Sequence, residues 1–143
     1  MSARRLTRNQ QLVLDRLRAA ERPQGAYALL EGLRDDGLRA PPQVYRALEA
    51  LVERGLAHRL ESVNAFVACR HELHEGTCCG AGTEHIVFAI CTACGRTEEV
   101  ADARLAGVLG AVAQRRGFKV DRASVEVQGL CSQCAGDADH QSR

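Results

Sequence analysis

Four of the seven cysteines stand in two C-x-x-C pairs, Cys91/Cys94 and Cys131/Cys134. A C-x-x-C turn aims two sulfurs at one point, and two such turns supply the four thiolates of a closed tetrahedral zinc site. A site with four protein ligands leaves no open coordination position, so its metal is structural rather than catalytic. Its binding energy is then also folding energy. Buried cysteines, or a redox pair in each motif, are the competing readings of the same four residues.

The chain holds a second set of potential metal-ligating side chains. His58 falls in one alternating segment and Cys69 ends the next, so the two are close to cross-strand neighbours if those segments pair. His85 directly precedes the apolar run 86–90, and Glu99 lies five residues past Cys94. A metal held by these four joins both halves of the chain and exists only when the halves are correctly oriented, which is the physical sense of a sensor. A thiolate with imidazoles suits zinc better than iron or manganese. Each residue also has a plain role open to it: His58 on a strand face, Cys69 as a small core residue, Glu99 as a solvated charge. A third cluster, His71, His74, Cys78 and Cys79, crowds a polar Gly-containing stretch, as an auxiliary metal site or as incidental ligands in a loop.

The elements that must position these groups follow from capping and periodicity. Thr7-Arg8-Asn9-Gln10 is a capping box, and Val13, Leu14 and Leu17 follow at helical spacing. A second helix is expected over about 26–34, closed by Asp35-Asp36-Gly37. Pro41-Pro42 opens a third, whose Val44, Leu48, Leu51 and Val52 form one apolar stripe and which Gly55 ends. Two alternating runs, 56–61 and 65–69, read as a hairpin. Three short helices and a hairpin in this order make a winged helix-turn-helix.

After a loop at 70–84, strands are expected at 86–90, 97–100, 118–120 and 125–128, with a helix from the cap Asp102 to Gly117. The fold class is therefore α+β: a winged-helix DNA-binding domain over 1–69, a hinge loop over 70–84, a C-terminal α/β dimerisation domain with the four-cysteine zinc site over 85–135, and a tail over 136–143.

Composition narrows the function. The chain has 143 residues with 45% apolar and only 3% aromatic content and no Trp, which disfavours a stacking platform for single-stranded nucleic acid. Net charge is +1 but uneven: residues 1–70 carry 12 basic against 8 acidic side chains, residues 71–143 carry 7 against 10. The run 86–91 is far too short to cross a bilayer. Residues 1–5 are followed by polar sequence, so no secretory leader, a cytoplasmic location and reduced thiols are expected. Neither H-E-x-x-H nor the H-x-E with P-C-x-x-C of zinc deaminases occurs, so an enzyme is not expected.

Taken together, Leu6-Thr7, the segment Pro41-Pro42-Gln43-Val44-Tyr45-Arg46-Ala47-Leu48, the hairpin Glu61-Ser62-Val63-Asn64-Ala65-Phe66 and the paired C-x-x-C motifs resemble the ferric uptake regulator (Fur) superfamily, in particular its zinc-sensing branch, over about residues 5–134. The resemblance implies a homodimeric, zinc-dependent repressor of zinc uptake genes that binds palindromic double-stranded operator DNA, with no membrane and no small-molecule substrate. It implies a structural zinc on Cys91, Cys94, Cys131 and Cys134 and a sensing zinc on His58, Cys69, His85 and Glu99.

The same resemblance puts Tyr45 and Arg46 on the recognition helix. With the apolar stripe inward, Gln43, Tyr45 and Arg46 project into a major groove, Arg46 toward guanine or phosphate. Arg4, Arg5, Arg8 and Arg59 are candidate backbone contacts. The family often has Thr where Gln43 stands, and Pro and Arg where Arg8 and Gln10 stand. Its iron-sensing branch usually shows a His-rich stretch where this chain has Thr83-Glu84-His85-Ile86, which argues against iron and peroxide sensing. Other metalloregulators of the family (iron, manganese or peroxide), and a thiol redox switch, are the alternatives.

Overall fold

The computed structural model describes residues 5–69, 86–120 and 123–141. The chain divides into two units, Met1–Gly82 and Thr83–Arg143.

In the first unit, α1 (Arg8–Ala19), α2 (Ala26–Gly32) and α3 (Pro41–Glu53) precede a hairpin of β1 (Ala57–Leu60) and β2 (Ala65–Ala68). The capping box forms as expected: Thr7 Oγ1 accepts from the Gln10 backbone N–H at 3.3 Å, and Gln10 Oε1 accepts from the Thr7 N–H at 3.1 Å. Each helix contributes its stripe to one core, with Val13, Leu14 and Leu17 meeting Leu29, Leu30, Val44, Leu48 and Leu51. Gly55, at φ 70°, supplies the left-handed residue after α3, and Leu56 N–H returns to Leu51 C=O at 2.9 Å, a Schellman closure. That closure turns the chain straight into β1. The hairpin is antiparallel, with Ala57 opposite Ala68 and His58 opposite Val67, and Gln24 pairs with Phe66 to tie the α1–α2 connection to β2. This is the winged helix-turn-helix expected.

The second unit carries β3 (Ile86–Cys91), β4 (Thr97–Ala101), α4 (Ala103–Arg115), β5 (Ser124–Gly129) and α5 (Ser132–Gln141). Its sheet has the order β4-β3-β5, with β4 antiparallel and β5 parallel to the central β3. Parallel neighbours need a long crossover, and α4 is that crossover. Asp102 caps α4, accepting from Arg104 N–H at 2.8 Å.

Two expectations are corrected here. The segment 118–120 is not a strand: Phe118 donates its N–H back to Ala113 C=O at 2.9 Å to close α4, with Gly117 at φ 71°, so that N–H is lost to a ladder. The segment read as a tail from residue 136 instead continues α5 to Gln141. Among the described residues, no helix is long and apolar enough to cross a membrane.

Candidate metal centre

The parallel pairing of β3 and β5 explains why two cysteine pairs so far apart in sequence meet. In a parallel pair both C-terminal ends lie at the same edge, and the register sets Cys91 opposite Gly129. Cys131 follows two residues later. The first turn is fastened there twice by Thr92, whose N–H and Oγ1 both donate to Gly129 C=O, at 2.8 and 3.2 Å. Gly95, at φ 77°, lets that turn fold tightly, its N–H returning to Cys91 C=O at 2.9 Å. The second pair sits at the start of α5, where Ala135 N–H donates to Cys131 C=O at 2.9 Å. It is therefore a helix N-terminus rather than a free turn, and the dipole of that helix favours thiolates.

All four sulfurs lie within 4.8 Å of one another, and Cys94 Sγ is 3.8 Å from Cys131 Sγ. Cys91 is buried and the other three are half-buried. Their electrostatics are uneven. Backbone hydrogen bonds from Cys131 and then Cys94 hold the Cys91 thiol down to about 6, whereas hydrogen bonding with the Cys131, Cys91 and Cys94 side chains pushes Cys134 up to about 12. Four sulfurs this close cannot all carry charge without a cation, and a divalent ion relieves that conflict. The donor set and spacing fit a tetrahedral thiolate-bound metal.

The first unit carries a smaller donor pair. Cys69 lies two residues beyond Val67, the partner of His58, so His58 and Cys69 are diagonal neighbours on one face of the hairpin. Their ligand atoms are within 4.8 Å of one another. The His58 Nε2 is buried, and Cys69 N–H donates to Leu56 C=O at 2.9 Å, extending the ladder past β2. Metal ligation by Cys69 takes its thiolate form. Glu99 is half-buried on β4, opposite Phe88. His85, His71, His74, Cys78 and Cys79 lie outside the described residues.

Of the residues expected at DNA, Tyr45 and Arg46 are exposed on α3. The side chain of Gln43 instead folds back on the start of its own helix, Oε1 accepting from the N–H groups of Arg39 and Ala40 at 2.9 and 3.1 Å. Arg8 donates to Asp36 C=O at 3.2 Å, which braces the start of α1 against the turn after α2. Arg59 pairs with Glu61 at 3.4 Å and lies over the Phe66 ring. Sequence reasoning passes over Tyr27, which is 70% exposed and shares with Tyr45 the wall of a cavity beside α3. The available signal is that these are the only two tyrosines in the chain and that Tyr27 lies off the leucine stripe of α2.

Residues 40–128 match the Ferric uptake regulator family. The chain belongs to that family. The family is one of transcriptional regulators, not of enzymes. Among curated relatives, this Fur-family chain is 36% identical over 110 residues to the zinc uptake regulation protein of Escherichia coli (strain K12), a match covering 76% of the chain and 60% of that protein's length. Among solved structures it resembles holo XcZur, with a TM-score of 0.81 and 38% identity over 94% of this chain and 89% of that one. It also resembles a zinc uptake regulator complexed with zinc and DNA, with a TM-score of 0.83 and 32% identity over 94% and 86% of the two chains.

Proposed function

We propose that this Fur-family chain is a zinc-responsive transcriptional repressor that binds palindromic operator DNA as a homodimer and controls zinc uptake genes. The observation that carries the reading is the pairing of a closed four-cysteine cluster in one unit with a separate His58–Cys69 donor pair in the unit that bears the recognition helix. The first set has the chemistry of a structural zinc. The second is incomplete by itself, as a sensing site must be if metal is to order the molecule. His85 and Glu99 of the second unit complete it in this reading. The likeness to zinc uptake regulators, one of them complexed with zinc and DNA, supports the choice of metal and partner.

Zinc bridging the units binds the DNA-competent arrangement better than others. Moving such an equilibrium from about 1:99 to 99:1 needs about 5.5 kcal/mol of differential binding. Linkage then requires operator DNA to tighten zinc binding at this site. Tyr45 and Arg46 face the major groove, while Gln43 serves the helix start.

The dimer has its own support. The second unit exposes Val100, Val108, Val112, Phe118, Val127 and Leu130, each by 49% or more, apolar side chains that a second copy would cover. Repressor dimers read paired half-sites.

The test is Cys69→Ser in reducing buffer. The variant keeps one thiolate-bound zinc per chain and remains a folded dimer, and it loses zinc-dependent gel shift. Unchanged zinc dependence refutes the sensing assignment.

A further inference from the structure

Beside the recognition helix lies a cavity of about 400 Å³, walled by α3, the start of α2 and the hairpin. Its floor is apolar: Leu48 is fully buried, Phe66 is 7% exposed and Val52 is half-buried. Two tyrosines flank it, and their exposure of 70% for Tyr27 and 42% for Tyr45 leaves ring surface for a guest. Two carboxylates, Glu49 and Glu53, stand one helical turn apart on the α3 wall. Among the described residues neither enters a salt bridge. Arg59, the cation of this wall, already pairs with Glu61 and lies over the Phe66 ring.

We propose that this cavity binds an organic cation: a flat apolar body carrying an amidinium, guanidinium or ammonium group. The body covers Val52 and the open edge of Phe66, and the tyrosine rings offer their negative faces to the cation. The charged head donates to the two carboxylates, fork to oxygen in the guanidinium and amidinium cases. An anionic guest meets two like charges, and a neutral one leaves both carboxylates without a partner. The size agrees, since pockets for small molecules start near about 300 Å³. Because Tyr45 lines the cavity, a guest there competes with operator DNA. That consequence rests on the DNA reading of α3 given above, whereas the binding itself does not.

The probe is benzamidine, titrated into the zinc-loaded full-length protein by calorimetry and by NMR of the first unit. A guest of this size is expected to bind with a dissociation constant on the order of 1 mM. Removing each charge-assisted hydrogen bond weakens binding about tenfold, so the double variant Glu49→Gln, Glu53→Gln releases benzamidine while retaining fold and metal content. Benzamide, of the same shape without the charge, does not bind at the same concentration. Equal binding of benzamide, or benzamidine binding unmoved by the double variant, overturns the proposal. Benzamidine that binds as expected and also weakens the gel shift supports both the site and the reading of α3. Benzamidine that binds while the gel shift stays unchanged supports the site and refutes the reading of α3.

Discussion

At the scale of single residues, the four cysteines differ in what they can tolerate. Cys91 is buried at the end of β3, and backbone N–H groups hold its thiol down to about 6, which favours the thiolate form that ligates metal. Cys131 bridges two elements, since its carbonyl accepts the first hydrogen bond of α5 and its sulfur lies 3.8 Å from Cys94. Replacing Cys131 by Ser leaves three thiolates around the metal and removes the link between α5 and the sheet edge. The expected outcome is loss of the tightly held metal, measured as metal per chain after mild chelation, together with a lower melting temperature for the second unit. Retention of a full metal equivalent after the change contradicts a structural role. The site is legible at this scale because the spacing inside each C-x-x-C pair is local. His58 and Cys69 are legible through hairpin register. Tyr27 is not, because an exposed aromatic on a short helix has no pattern that separates it from ordinary surface.

At the scale of elements, the caps carry testable weight. Thr7 satisfies a backbone donor that α1 otherwise leaves to water, and Gln10 does the same for the Thr7 N–H. Thr7→Ala lowers the stability of the first unit by about 1 kcal/mol, read as a shift in the urea midpoint with an unchanged slope. Asp102 plays the equivalent part for α4, and its pairing with Arg104 holds its carboxyl down to about 2. A carboxylate with a depressed folded value stabilises fully above its unfolded value and loses that contribution as pH falls toward the folded one. The amide protection of the first turn of α4 should therefore exceed that of Asp102→Asn at neutral pH. The two should converge as pH falls through about 2. A constant difference across the titration shows that the charge is not what caps the helix.

Most helices are legible because cap, stripe and stop signal agree, as in Pro41, the stripe of Val44, Leu48 and Leu51, and Gly55. The misread pieces have competing local chemistry. The segment 118–120 has strand-like composition, but its first N–H closes α4. α5 contains Gly136, Asp137 and Asp139, poor helix formers whose sequence gives no periodic stripe. The parallel pairing of β3 with β5 is invisible in the sequence, since alternation specifies a strand and not its neighbour.

At the scale of the whole molecule, the second unit has more apolar surface than its own elements cover. α4 turns Val108 and Val112 outward, 59% and 53% exposed, four residues apart and therefore on one face. A second copy meeting this unit can bury both, and under the proposed function a two-fold axis through such a contact gives the dimer two copies of α3 for a palindrome. Val108→Glu with Val112→Glu places two charges where a dry contact is needed, at a cost that leaves the exposed monomer nearly untouched. The paired substitution is expected to give a monomer by sedimentation equilibrium, with the four-cysteine metal retained and circular dichroism unchanged. Gel shift on a palindromic site should fail, while the hairpin and helices of the first unit keep their melting behaviour. A variant that stays dimeric moves the interface elsewhere on this unit, to Val100 and Val127 of the sheet and the adjoining Leu130. A variant that becomes monomeric yet binds a full palindrome with wild-type affinity refutes the link between assembly and DNA reading.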